Sequence, residues 1–157
     1  MCASNRVPIK REGCLDVDLD ISDSVFRTWS KYVQNDVKSS EACGVLIGGY
    51  TEDLDRMQID KCTRPGIKDT RSRTGFVMKS KHHDRAVQRA FLQSGGERFY
   101  IGNWHTHPCC FPVPSRKDLE DWELCVKRNP QIRLFVFVIV GIKETLVRVQ
   151  PQGEKYV

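Results

Sequence analysis

The stretch NWHTHPCCFPVPSRKD, residues 103–118, places two of the chain's four histidines one residue apart and follows them with a serine and an aspartate. In an extended segment, side chains two apart point to the same face, so the imidazoles of His105 and His107 can reach one ion. Pro108 ends the extended run. Ser115 stands where a helix N-cap belongs, with Asp118 at the third helical position, and a first helical turn can face back toward a strand end. Two neutral nitrogens and one carboxylate, with a fourth position open, make the ligand set of a catalytic zinc site rather than a closed structural one. Each residue alone has a plainer use. Ser115 with Asp118 is an ordinary cap with a dipole-complementing acid, and a strand histidine is most often a polar residue on a sheet face. The combination and spacing carry the metal reading, and one helix start can serve as both cap and ligand.

Those residues need a scaffold. In CLDVDLDIS (14–22) Leu15, Val17, Leu19 and Ile21 alternate with Asp16, Asp18 and Asp20, which predicts a strand with one wet face and a solvated acidic edge. Ser22 can cap a helix whose apolar stripe is Val25, Phe26, Trp29, Val33 and Val37. GVLIGGY (44–50) reads as a buried strand, RMQIDKCT (56–63) as its hairpin partner, and 64–75 as a loop rich in Pro, Gly and charge. FVMKS is a short strand, and residues 81–94 form a helix ending at Gly95-Gly96. RFYIGNWHTH is the strand that carries the histidines. Ser115 to about Asn129 is a helix stopped by Pro130, IRLFVFVIV a fully buried strand and TLVRVQ the last one. The order β-α-β-β-β-α-β-α-β-β predicts an α/β or α+β fold, a mixed sheet packed with helices, in a single domain spanning 1–157. Trp104, adjacent to His105, should point to the opposite face and into the core.

With 157 residues, 39% hydrophobic and 29% charged, the composition is that of a globular chain. A net charge of +5 favours acidic partners slightly. It makes no case for nucleic acid, because no basic face interleaved with aromatics is visible. The first residues, MCASNRVPIKREG, lack the apolar core of a signal peptide, and no segment approaches the roughly 18 apolar residues that span a bilayer. The expected location is cytoplasmic, with no membrane partner. Seven cysteines, an odd number at irregular spacing, read as free thiols or small buried hydrophobes.

HTHPCCFPVPSRKD resembles the signature of the JAMM family (also called MPN+ or JAB), H-[ST]-H-x7-S-x2-D, without gap or insertion. The family also uses a glutamate upstream at the start of a strand, and Glu41 in SSEACGVLIGG is similar in context. The order of elements is similar from about residue 20 to 150. Within the family, the pattern is most similar to the compact deconjugating peptidases of bacterial CBASS antiphage operons. The resemblance implies a JAB/MPN-like fold and a Zn2+ ion held by His105, His107 and Asp118. It also implies Glu41 as general base and Ser115 as donor to the developing oxyanion.

The implied substrate is a protein with an extended C-terminal tail, a cGAS-like nucleotidyltransferase conjugated by an E1/E2-like partner, cut at the amide bond after that tail. A strand edge near the site, the loop 64–75 with Arg64, Lys68, Arg71 and Arg73, and the loop 109–114 are candidates to grip the tail. The same signature also serves sulfur-carrier processing peptidases, small-metabolite amidases and RadC-type relatives, and the fold has non-catalytic scaffold members. Cys43 and the pair Cys109-Cys110 depart from common family patterns. They read as packing or loop residues, with altered metal choice or sensitivity to oxidation as the other use.

Overall fold

All seven residues of LFVFVIV are buried, because the strand they form lies inside a sheet covered on both faces. Phe135, Phe137 and Ile139 turn to one face, and Leu134, Val136, Val138 and Val140 to the other. A strand with two dry faces shows no apolar–polar alternation. The computed structural model describes residues 7–154; Cys2, with the rest of the first six residues on which the signal-peptide reading mainly rests, and 155–157 lie outside the described residues.

The elements in chain order are β1 (Ile9–Gly13), β2 (Asp18–Ile21), α1 (Asp23–Tyr32), β3 (Cys43–Tyr50), β4 (Arg56–Cys62), β5 (Thr70–Ser72), β6 (Gly75–Val77), α2 (His82–Gln93), β7 (Phe99–Thr106), α3 (Arg116–Arg128), β8 (Leu134–Val140) and β9 (Thr145–Pro151). The large sheet has the order β1-β9-β8-β7-β3-β4-β2, and β5 and β6 form a separate two-stranded ribbon. It is a mixed sheet: β7 runs parallel to β8 and antiparallel to β3. The α+β architecture expected from the sequence is the one observed.

Helix α1 packs Val25 and Trp29 onto one sheet face with Leu46, Ile101, Trp104 and Val138. Helix α3 packs Trp122 and Val126 onto the other, where Trp122 stacks on Phe137 at 5.0 Å between ring centroids. Trp104 is fully buried as predicted, its indole N–H donating to the Thr63 carbonyl at 2.9 Å. Helix α2 stops where the sequence says it should: Gly95 and Gly96 take positive φ, and the Gly96 N–H returns to the Phe91 carbonyl at 2.8 Å.

Several expectations are corrected. The strand at 14–22 contracts to Asp18–Ile21, and Leu15 is exposed. It lies at the sheet edge, parallel to β4, so its acidic face is solvated as read. Helix α1 ends at Tyr32 and Val37 is exposed, because the chain must turn there to reach β3. The segment 64–75 is not all loop, since β5 lies in it and β6 follows. Strand β1 went unread because IKREG has no clear apolar period; its partner β9 supplies the order. Among the described residues no helix is long and apolar enough to cross a membrane.

Candidate metal centre

His105 and His107 reach the site from the end of β7, and Asp118 from the first turn of α3. Strand alternation puts both imidazoles on one face, with Nε2 of His105 3.1 Å from Nε2 of His107. Asp118 faces both: Oδ1 lies 3.2 Å from His105 Nε2 and Oδ2 3.1 Å from His107 Nε2. Two imidazole nitrogens aimed at each other need a shared proton or a shared cation between them, and a carboxylate set against both favours positive charge there. Among the described residues these three side chains are the one cluster of His, Cys, Asp or Glu with ligand atoms close enough to share an ion, all within 4.8 Å of one another. The donor set of two nitrogens and one carboxylate fits a zinc ion with an open position.

Ser115 and Asp118 do what the sequence spacing predicts. The Ser115 hydroxyl accepts from the Asp118 N–H at 3.1 Å, and Asp118 Oδ2 accepts from the Ser115 N–H at 2.8 Å, a reciprocal capping box. The cap therefore holds the Asp118 carboxylate at a fixed rotamer. Ser115 Oγ spends a lone pair on the cap and keeps its proton free to donate.

Asp118 is buried, which alone would raise its carboxyl; hydrogen bonds from His105 and His107 and from the Ser115 backbone overcome burial and hold it far below the usual carboxylate range. Burial pushes His105 down, against the pull of Asp118, so its ring is neutral and able to ligate.

Glu41 precedes β3. The antiparallel register that pairs Cys43 with His105 carries Glu41 alongside His107. It is buried, and among the described residues nothing hydrogen-bonds its carboxyl. Burial pushes that carboxyl up to about 7, with Asp118 adding to the shift and His107 and Lys117 opposing it.

The backbone of Glu41 is clasped by β5. Its N–H donates to the Ser72 carbonyl at 2.7 Å, and Arg71 Nε donates back to the Glu41 carbonyl at 2.7 Å while the guanidinium lies over Tyr32. Gln34, fully buried, donates to the Arg73 and Ser39 carbonyls and accepts from the Thr106 hydroxyl, and Thr106 Oγ1 accepts from the Ala42 N–H. Thr106, between the two histidines, thus ties β7 to the segment carrying Glu41. Phe76 of β6 packs on His105 at 5.1 Å between rings. Sequence reading missed Gln34 and Phe76, which lie far along the chain, and gave Arg71 a different role. The middle residue of H-T-H was a signal for Thr106, since alternation sends it to the opposite face.

Arg71 and Arg73 were candidates to hold substrate. Instead Arg71 serves the carbonyls of Ser40 and Glu41, and Arg73 those of Asp36 and Val37. The start of loop 109–114 is held by its backbone, since the Cys109 and Cys110 carbonyls accept from Ile142, Lys143 and Glu144, while Phe111 and Val113 stay exposed. Cys43 is buried and its thiol pushed up to about 12, and burial also raises Cys109. Both stay protonated near neutrality, and among the described residues no cysteine joins the His105, His107 and Asp118 cluster. His82 and His83 lie elsewhere, His82 facing the Arg64 carbonyl and His83 set between Thr63 and Asp69.

Arg71→Ala should cost turnover without costing metal. Loosening the Glu41 backbone by a fraction of an ångström should lower kcat on the order of 10-fold, because misplacement by about 1 Å costs up to about 10²-fold. Bound metal should stay at the wild-type level by mass spectrometry. Arg71→Lys, which lacks the Nε donor, should not restore the rate.

The Glu41 shift also predicts a pH effect on the metal-free protein. The unfolded carboxyl titrates near its ordinary value of 4.5 and the folded one near 7. The folded state therefore binds the extra proton in between, and the contribution of Glu41 to stability is full below about pH 4.5 and declines as pH rises to 7. His105, held neutral, contributes the opposite slope. Wild type minus Glu41→Gln isolates the term: the stability advantage of the glutamine variant should grow from pH 5 to pH 7 in denaturant titrations.

The chain belongs to the prokaryotic JAB-domain family: a family model described as prokaryotic homologs of the JAB domain matches residues 24–151. Among curated proteins it is similar to a CD-NTase/cGAS isopeptidase of Escherichia coli, 38% identical over 74% of this chain and 74% of that protein. A CD-NTase/cGAS isopeptidase of Vibrio cholerae is 34% identical over 66% of this chain and 64% of its own length, and one of Pseudomonas aeruginosa 29% identical over 85% and 83%. The solution structure of protein DSY2949 from Desulfitobacterium hafniense shares the fold, with a TM-score of 0.55 at 17% identity over 88% of this chain and 91% of that one.

Proposed function

We propose that this protein is a zinc-dependent isopeptidase that hydrolyses the amide bond after the C-terminal tail of a conjugated carrier protein. In this reading the carrier is a CD-NTase (a cGAS-like nucleotidyltransferase), and the reaction reverses E1/E2-like conjugation in cytoplasmic antiphage defence. The observation that carries it is the meeting of His105, His107 and Asp118 in one cluster beside the buried Glu41, in a chain whose relatives are named for this activity.

His105, His107 and Asp118 would hold the ion, which supplies positive charge that polarises the scissile carbonyl and acidifies water. Glu41 takes the proton of the attacking water and delivers it to the leaving amine; a carboxyl titrating near neutrality is suited to both transfers. Ser115 donates its free proton to the developing oxyanion, an interaction typically worth about 2.7–4 kcal/mol. No cysteine is needed as a nucleophile.

The tail would lie in a cleft of about 310 Å³ between β6 and α3, lined by Phe76, Val77, Asn103, His105, Asp118 and Cys125. Strand β6 pairs only with β5 among the described strands, so its other edge can take an extended segment as a further strand. Binding along the tail then sets the carbonyl at the metal. The preference should therefore lie upstream of the cut. In a panel of fusions, changing the protein after the scissile bond should alter kcat/KM by less than about threefold. Replacing several tail residues before it should lower kcat/KM on the order of 10²-fold. Selectivity that follows the downstream partner, or cleavage of small free amides alone, contradicts the reading in favour of a metabolite amidase.

A further inference from the structure

The charge of this chain is concentrated in one segment. Residues 61–89 hold nine Lys and Arg against two Asp, a net +7, while the whole chain carries +5, so the rest is net acidic. Part of that segment forms one groove of about 470 Å³ between the loop after β4 and the start of α2, lined by Arg64, Ile67, Lys68, Lys81, His82 and Arg85. Arg64, Lys68, Lys81 and Arg85 are exposed and, among the described residues, make no ion pair. Ile67 stands fully exposed between them.

The groove is held rigidly. The Asp69 carboxylate accepts from the Gly66, Lys79 and Ser80 N–H groups and from His83, and the Lys68 N–H donates to Ser80 Oγ. Unpaired cations around an exposed apolar residue on a preformed loop have the layout of a docking surface for a protein, with a charged rim and an apolar anchor. A nucleic acid would want aromatic rings for its bases, and no Phe, Tyr or Trp lines the groove.

From this groove the chain runs directly into β5 and β6, a ribbon three residues long on each side, or about 10 Å. Its far part holds the Glu41 backbone and packs on His105. A folded domain seated on the groove is thus within one short ribbon of the metal centre.

We propose that this basic groove docks an acidic surface of the folded carrier domain, so that the enzyme recognises carrier body and carrier tail at two separate sites. The inference rests on the isopeptidase reading. It implies a division of labour: the cleft by α3 sets the register of the tail, and the groove raises the effective concentration of the tail at the cleft.

The test is the triple variant Lys68→Glu, Lys81→Glu, Arg85→Glu, with Ile67→Ser beside it, neither of which touches the catalytic residues. Two substrates are compared: a whole CD-NTase–target fusion, and a short peptide bearing the same tail with an amide-linked dye. Reversing three cations should raise KM for the fusion by about 10-fold or more, remove most of its salt dependence, and leave the peptide unchanged. Ile67→Ser should raise KM for the fusion alone by a few-fold.

Equal changes on both substrates, or no change on the fusion, overturn the proposal. Binding is measured in parallel by calorimetry, with the Glu41→Gln protein and the intact fusion at 50 and 300 mM salt. If wild type cuts neither substrate, the isopeptidase reading fails, and loss of this binding on charge reversal still decides for or against the groove. Tight binding of single-stranded DNA that charge reversal abolishes, with fusion binding unaffected, assigns the surface to a polyanion and refutes docking of the carrier.

Discussion

His107→Ala is expected to lose metal and activity together. An open site with three protein ligands has no spare donor, and even residues that merely orient ligands cost about 10–100-fold in metal affinity or activity when removed. Loss of a ligand should exceed that, taking zinc from one per chain to below detection by elemental mass spectrometry and hydrolysis to background. The change should be local. His107 is partly exposed at the strand end, and β7 keeps its ladders to β3 and β8. His105→Ala should give the same loss of metal with an added loss of stability, since His105 is buried against Phe76. Near-normal zinc with near-normal turnover in His107→Ala contradicts the assignment of the three ligands.

Glu41→Gln is expected to separate the two observables. The glutamine fills the same space, keeps the backbone bonds to Ser72 and Arg71, and leaves His105, His107 and Asp118 intact. Zinc should remain at the wild-type level while kcat falls by about 10²–10⁴, the range for loss of a general acid–base group. A fully active Glu41→Gln protein places the base elsewhere. A protein that loses zinc with this substitution makes Glu41 a ligand instead.

The part of the site readable in the sequence was local. His105 and His107 share a face because a strand repeats every two residues, and Ser115 with Asp118 declares a helix start, so four residues could be set in relation within a 16-residue stretch. Glu41 could not be reached this way. Its place beside His107 depends on the pairing of β3 with β7, more than sixty residues apart, and only the resemblance to a family supplied it.

The ribbon β5–β6 was half hidden for a related reason: FVMKS reads as a short strand, but its partner β5 reads as loop. The residues of β5 are exposed and polar, with no apolar face to bury, so nothing in TRS reads as a strand. The ribbon is fixed instead by the Glu41 N–H donating to the Ser72 carbonyl and by the reach of Arg71 and Arg73 to carbonyls of 36–41. Cations in a loop read as free for substrate, and two of these four are not. Helix α1 was read too long because Val33 and Val37 continue the helical spacing, although the chain has already left the helix. Trp104 and the strand 134–140 were legible because burial on both sides demands uninterrupted apolar residues.

The central claim is that a metal-dependent hydrolysis frees the carrier's tail, and the most direct measurement is the mass of the products from one defined conjugate. A CD-NTase joined through its C-terminus to a target protein is incubated with the metal-loaded enzyme, with enzyme stripped by a chelator, and with stripped enzyme resupplied with zinc. The account predicts two products whose masses sum to that of the conjugate plus one water, cut after the last residue of the carrier tail. They should be formed by the loaded and resupplied enzyme and not by the stripped one. Cleavage that survives stripping, or a cut at another bond, contradicts it.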